Sequence, residues 1–243
     1  MNKKKVIQIG VMAVVITIMF VVIIVVSKEN ANEYSTISST EPISSSTVNR
    51  ENALPINSID ILVNAKNPIP DDWTVDLVQL RNGHQIDRRA YDSLQKMMDD
   101  ARVKGWNPLI CSSYRTTAYQ QKLFDNRVER MINQGMSEKE AIKDTEKWIA
   151  IAGTSEHETG LAVDIVTLEN QNLDSSQLDS ECQKWLMAHC YDYGFILRYP
   201  KDKKEITGID FEPWHYRYVG YDIAQYIKKN GICLEEYKTI PNK

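Results

Sequence analysis

Residues 6–26 form an almost unbroken apolar run, VIQIGVMAVVITIMFVVIIVV, and this run constrains the chain more than any other feature. Twenty-one residues are enough to cross a bilayer core of roughly 30 Å as a helix. Lys3, Lys4 and Lys5 precede the run, which places the N-terminus in the cytoplasm by the positive-inside tendency. A cleaved signal peptide has a shorter apolar region and a small-residue cleavage site. Val25-Val26-Ser27 offers no such site, and no cysteine follows to accept a lipid. The segment therefore reads as an uncleaved signal anchor, with cleavage as the alternative. In both cases the rest of the chain faces outside; with the anchor kept, the protein is a single-pass protein of the cell membrane with an extracytoplasmic domain.

Nine of the twenty residues from Ala31 to Arg50 are Ser or Thr. A segment so poor in apolar surface cannot offset its ordering entropy and reads as a tether. The expected organisation is a cytoplasmic tail (1–5), the anchor (6–26), a linker (27–58), one folded domain (59–231) and a C-terminal tail (232–243). Net charge is −4 with both signs interspersed, so no nucleic-acid surface is expected.

Within the domain, WTVDLVQL (Trp73 to Leu80) alternates as a strand does. From Asp87, Tyr91, Leu94, Met98 and Ala101 recur at helical spacing up to Gly105. NPLICSSYR reads as a strand, TTAYQQKLFDNRVERMINQG as a helix, and Ser137 with Glu140 as the capping box of a third helix to about Ala150. GLAVDIVT is a buried strand. SSQLDSECQKWLMAHCYDYG is expected as one amphipathic helix with Leu178, Cys182, Trp185, Leu186, His189 and Tyr193 on one face. FILRYP and EPWHYRYVG are two more strands, and Ile223, Tyr226 and Ile227 mark a last helix stopped by Gly231. The fold class is α+β: a small, mainly antiparallel sheet with helices packed around it.

The four cysteines, Cys111, Cys182, Cys190 and Cys233, show no zinc-ribbon spacing. Cys182 and Cys190 on one helix would lie about 12 Å apart by helical rise, too far for a disulfide. Most of the four are expected to be small buried hydrophobes.

The chemistry concentrates in GTSEHETGLAVDI, Gly153 to Ile165. It carries a histidine, three carboxylates and two glycines, and then runs into an apolar strand. Such polar groups are costly to bury without partners. His157, Asp164 and, further on, His215 supply three N or O ligands, the set a hydrolytic zinc site needs beside an open position for water. Glu212, three residues before His215, remains as a carboxylate beside the metal. Zinc lowers the pKa of bound water, and a neighbouring carboxylate can then move the proton. The alternative is a solvated loop around His157 and a satisfied strand histidine at 215. His189 is expected to be a packed residue and His84 a turn residue. Arg115 in CSSYRTTAYQ can grip a carboxylate with two parallel hydrogen bonds, and Gln120 lies one helical turn further on.

Four segments in this order, SSYRTTAYQ, GTSEHETGLAVDI, YGFILRYP and EPWHYRYVG, resemble the zinc D-alanyl-D-alanine carboxypeptidases of the vancomycin-resistance type, within the lysostaphin and hedgehog-like group. The pattern S-x-H-x-x-G-x-A-x-D is matched by Ser155, His157, Gly160, Ala162 and Asp164, and E-P-W-H by Glu212 to His215. Ser113 departs from the glycine that often precedes the Tyr-Arg pair. The resemblance implies one zinc ion on His157, Asp164 and His215, Glu212 as general base and acid, and Arg115 on substrate and oxyanion. It implies a substrate contact at Ser113 and, at Gln120 and Ser155, contacts either with the substrate or with the groups that hold the site, with Glu156 and Glu158 on the rim. The implied activity removes the terminal D-Ala from peptidoglycan stem peptides or lipid-linked precursors, in antibiotic resistance or in wall maturation. An L,D-carboxypeptidase acting on tetrapeptides and a non-catalytic zinc-bearing binding module are the alternatives.

Overall fold

The structure, a computed structural model, describes residues 58–241. The tail, the anchor and nearly all of the linker expected from the sequence lie outside the described residues. Among the described residues no helix is long and apolar enough to cross a membrane.

A short antiparallel pair opens the fold, β1 (Leu77–Gln79) with β2 (Gln85–Asp87). Helix α1 (Arg88–Val103) follows directly. Asp87 caps it by accepting from the Arg89 backbone N–H at 2.9 Å. Ala90, Leu94, Met97, Met98 and Ala101, spaced as one helical face, are all buried. After β3 (Pro108–Ser112) come α2 (Thr117–Asn133) and α3 (Glu138–Thr145). The Ser137–Glu140 capping box is present on α3. Strand β4 (Ala162–Thr167), α4 (Glu181–His189), β5 (Phe195–Leu197), α5 (Lys204–Thr207), β6 (His215–Tyr218), α6 (Tyr221–Asn230) and α7 (Leu234–Lys238) complete the order.

The fold is α+β. Four strands make one antiparallel sheet in the order β3-β4-β6-β5. Its two faces do different work because side chains alternate along a strand. Val163 and Ile165 of β4, Tyr216 of β6 and Phe195 of β5 join Leu94 and Met97 of α1 and Leu186 of α4 in the main core. Each such fully buried large apolar side chain is worth about 1.5–3 kcal/mol. Asp164, His215 and Arg217 point to the opposite face, where the site is built. A second cluster of Ile196, Val219, Ala224, Ile227 and Leu234 seals β5 against α6 and α7.

Four expectations are corrected. Of WTVDLVQL only Leu77–Gln79 is strand. Helix α3 stops at Thr145 rather than near Ala150: the Trp148 and Ile149 N–H groups both turn to the Thr145 carbonyl. The single helix expected over 175–194 is broken. Ser180 accepts from the Gln183 N–H and starts α4 afresh, with single 3₁₀ turns at Ser175–Asp179 and Cys190–Tyr193 on either side. Leu178 is consequently part-exposed, and His189 stacks on Trp185 at 5.0 Å with one edge in solvent. Finally, 232–243, read as a tail, contains α7, whose Leu234 is fully buried.

All four cysteines are free; Cys182, Cys190 and Cys233 are buried and Cys111 is half-buried.

Candidate active site

Asp164 on β4 and His215 on β6 are direct cross-strand partners. This pairing puts both side chains on the same face of the sheet. His157 arrives from a single 3₁₀ turn, Glu156–Thr159, which ends at Gly160 in the left-handed conformation with φ +74°. Only glycine fits there. A Cβ at 160 would stand 2.6 Å from Val75 Cγ1 and 3.3 Å from the Asp87 backbone N. The tight turn delivers His157 beside the start of β4, and the Gly160 carbonyl is tied to the Asp87 N–H at 2.8 Å.

The three side chains converge. His157 Nε2 lies 3.3 Å from Asp164 Oδ2, and His215 Nδ1 lies 3.0 Å from Asp164 Oδ1. The imidazoles meet edge to face with centroids 4.9 Å apart. One donor atom from each of the three residues can be chosen so that all lie within 4.8 Å of one another. All three residues are buried. Each ring's far nitrogen is also held. His157 Nδ1 donates to the Ser113 carbonyl at 2.8 Å, which leaves Nε2 with a free lone pair. His215 Nε2 faces Glu156 Oε2 at 3.5 Å. Burial first, and then the positive charge of Arg115, lowers the His157 pKa to about 4, so its ring is neutral. For His215 burial pulls down, but the hydrogen bonds to Asp164 and Glu156 outweigh it and raise the ring to about 9. A positive charge is therefore favoured at the spot between His215 and the Asp164 carboxylate. Two imidazole nitrogens and one carboxylate oxygen, buried and braced from behind, fit a divalent cation of the zinc type.

Glu212 lies in the turn leading into β6, where the His215 N–H returns to the Glu212 carbonyl at 3.2 Å. Its Oε2 is 3.8 Å from His215 Nδ1. Burial, against the pull of His215, raises its carboxyl to about 8, a range suited to passing protons near neutrality. Arg115 lines the same cleft. Its guanidinium donates to Ser112 Oγ at 2.9 and 2.7 Å, to Gln120 Oε1 at 3.1 Å and to Asp164 Oδ2 at 3.1 Å. The residues open onto a cleft of about 400 Å³, walled by Leu123, Arg127 and Arg130 of α2 and by Trp148, Tyr199 and Trp214.

Of the expected substrate contacts, Arg115 and Ser155 line this cleft; Ser113 and Gln120 do not. Ser113 is buried behind His157, its Oγ accepting from the Gln85 N–H. Gln120 is buried with both ends committed, to Arg115 and to the Ala150 carbonyl at 2.7 Å. Both brace the site from behind. Glu156 and Glu158 are not rim residues. Glu158 accepts from the Gly153 N–H at 2.9 Å and holds the 3₁₀ turn. Glu156 is fully buried between Arg198 and Arg217. Sequence reasoning missed Ser112, Arg198 and Arg217. The two arginines did leave a signal: a charge within the apolar strand patterns FILRYP and HYRYV needs a buried partner.

A cleft on one face of an antiparallel sheet, with a His-Asp-His triad, a free carboxylate and an arginine, defines the metallohydrolase class. Residues 83–221, more than half of the chain, match the family model VanY, D-alanyl-D-alanine carboxypeptidase, and the chain belongs to that family. A D-alanyl-D-alanine carboxypeptidase of Enterococcus faecalis (strain ATCC 700802 / V583) is 47% identical over 178 residues, covering 73% of this chain and 64% of that one. The chain thus spans less than two thirds of the length of the curated relatives it matches. Among solved structures, a point mutant of the vancomycin resistance D,D-pentapeptidase VanY from a VanB-type resistance cassette, in complex with Zn(II), superposes with a TM-score of 0.69 at 45% identity. That match covers 74% of this chain and 99% of the other. The LdcB LD-carboxypeptidase superposes with a TM-score of 0.59 at 34% identity, covering 73% and 84%.

Proposed function

We propose that the chain is a zinc D,D-carboxypeptidase that removes the terminal D-Ala from peptidoglycan stem peptides or their lipid-linked precursors. The observation that carries the proposal is the meeting of His157, Asp164 and His215 at one cleft that Glu212 and Arg115 also line. His157, Asp164 and His215 hold the zinc. The bound ion supplies an acidified water and a polarised carbonyl. Glu212 takes the water proton and returns it to the departing amine, for which its raised pKa suits it. Arg115 turns its guanidinium to the substrate and stabilises the developing oxyanion, held in aim by Ser112 and Gln120. Ser155, which lines the cleft, contacts the peptide.

In the same proposal the apolar segment Val6–Val26 anchors the protein in the cell membrane, and the Ser/Thr-rich linker lets the catalytic unit reach substrate on the outer side. A substrate assembled at the membrane surface supports that arrangement.

The test is incubation of the zinc-loaded protein with a muramyl pentapeptide ending D-Ala-D-Ala and, separately, with a tetrapeptide ending in one D-Ala, with products read by mass. Loss of one alanine from the pentapeptide alone is expected. Shortening of the tetrapeptide instead identifies the L,D activity of the LdcB kind. If neither peptide shortens while zinc is bound, the chain is a binding module.

A further inference from the structure

Behind His215 runs a buried chain of alternating charges that the reaction does not use. Glu156 Oε2 faces His215 Nε2 at 3.5 Å. Its other oxygen, Oε1, accepts from Arg198 Nε at 2.7 Å and from Arg217 Nη1 at 2.8 Å. Arg198 continues outward as a two-point fork onto Glu235 of α7, at 2.9 and 2.6 Å. Arg217 donates to the backbone carbonyls of Ile59 and Ile61 at 3.0 and 2.9 Å. The Glu156, Arg198 and Arg217 side chains are fully buried, and that of Glu235 is 12% exposed. Two carboxylates and two guanidiniums leave the network neutral, so its members can be buried together. Glu235, Ile59 and Ile61 all lie outside residues 83–221, which the family model matches.

We infer that Glu156 and Glu235 are positioning residues for the metal centre: α7 orients the His215 ring through the Glu235–Arg198–Glu156 relay. The inference rests on the zinc reading given above. An imidazole that ligates through Nδ1 needs an acceptor on its Nε2–H to hold its plane and its tautomer. Glu156 is that acceptor. A carboxylate buried so close to a ligand must itself be held, and Arg198 and Arg217 hold it by charge-assisted bonds in fixed directions. Without Glu235 the Arg198 fork loses the partner of both terminal nitrogens, and its hydrogen bonding is reduced to the one Nε bond to Glu156. Both ends of the folded chain are thereby tied to one ligand.

The experiment measures zinc affinity of the purified full-length protein by competition with a chromophoric chelator, alongside thermal unfolding and the His215 imidazole N–H resonance of the zinc-free protein. Glu235→Gln is the deciding variant, because its site is at the edge and the replacement has the same shape. It should weaken zinc binding by about tenfold, the low end of the range for partners of metal ligands. It should also shift the His215 N–H resonance. Glu156→Gln should weaken zinc binding more, by up to about a hundredfold, if it folds. Lys238→Ala removes a different α7 ion pair, to Asp60 at 2.9 Å, and should leave zinc affinity within about twofold of the parent. A Glu235→Gln protein that melts lower but binds zinc as the parent does, with an unmoved His215 signal, reduces α7 to packing and overturns the relay. Equal weakening by Lys238→Ala overturns it too, since helix docking alone would then explain the effect. A parent protein that binds no zinc fails the proposed function itself, and the relay with it.

Discussion

Asp164 Oδ1 and His215 Nδ1 meet at 3.0 Å across one rung of the β4–β6 ladder. A ligand pair made this way is fixed by backbone pairing rather than by loop conformation, and a one-residue slip of either strand would turn that strand's ligand to the core face. Asp164→Asn keeps the shape and removes the charge that holds both imidazoles. Zinc affinity should fall by more than the ~100-fold seen for outer partners of metal ligands. Chelator competition measures it, and an unchanged affinity would remove Asp164 from the ligand set.

Gly160 is the second fixed point. Gly160→Ala adds a methyl 2.6 Å from Val75 Cγ1 at a backbone φ of +74°. A non-glycine residue held in this region costs about 1–3 kcal/mol before any clash is counted. For a folded unit of this size that lowers Tm by roughly 2–4 °C per kcal/mol. Val75→Ala should relieve part of the loss, because it removes the atom in the way. Purely additive effects of the two changes in a thermal melt would show that contact with Val75 is not the cause.

Much of this was legible in the chain because the signals are local. Asp87 before Leu94 and Met98, Ser137 with Glu140, and the alternation of AVDIVT each determine their own geometry. The triad was legible because His157 and Asp164 share one segment, and because His215, with Glu212 three residues before it, completes the ligand inventory of a hydrolytic zinc site; the motif resemblance then agrees with that set. What could not be read depended on partners distant in sequence. Glu156 reads as a rim residue beside Glu158, and nothing nearby reveals that Arg198 and Arg217 enclose it, 42 and 61 residues away. Ser113 reads as a substrate contact, and Gln120 as either a substrate contact or a support for the site, because spacing cannot tell the front of a site from its back. Ser180 shows the opposite failure: its periodic neighbours suggested one long helix, and a local side-chain bond divided it.

The thiols yield a prediction about pH. Burial first raises the pKa of Cys111 to about 12, and of Cys182 and Cys233 to about 11. In the unfolded chain they titrate near 8.5. A group whose folded pKa is raised contributes stability that is complete below the unfolded value and is lost as pH climbs through the folded one. Tm should accordingly hold level up to about pH 8.5 and decline between there and about pH 12. The thiolate is the reactive form, so alkylation of native Cys111 by iodoacetamide should be slow at pH 8 and rise about tenfold per pH unit. Rapid labelling of the folded protein at pH 8, read by mass, would contradict the burial that sets these values.

Glu212 separates binding from catalysis most cleanly. Its carboxyl sits 3.8 Å from His215 Nδ1 without completing the His157–Asp164–His215 cluster, so a neutral amide there should leave the metal site intact. Glu212→Gln should bind zinc as tightly as the parent does. It cannot accept a proton, and kcat on the pentapeptide should fall by about 10²–10⁴, the range for loss of a positioned acid–base group. Glu212→Asp keeps the acid on a shorter arm and should recover part of that loss, because proton transfer depends on reach as well as on pKa. Parallel zinc titration and turnover of the three proteins give the answer. A Gln variant turning over within about tenfold of the parent would mean another group moves the proton. A variant that lost zinc along with turnover would make Glu212 part of the metal's own support, and the division of roles across this cleft would have to be redrawn around four residues instead of three.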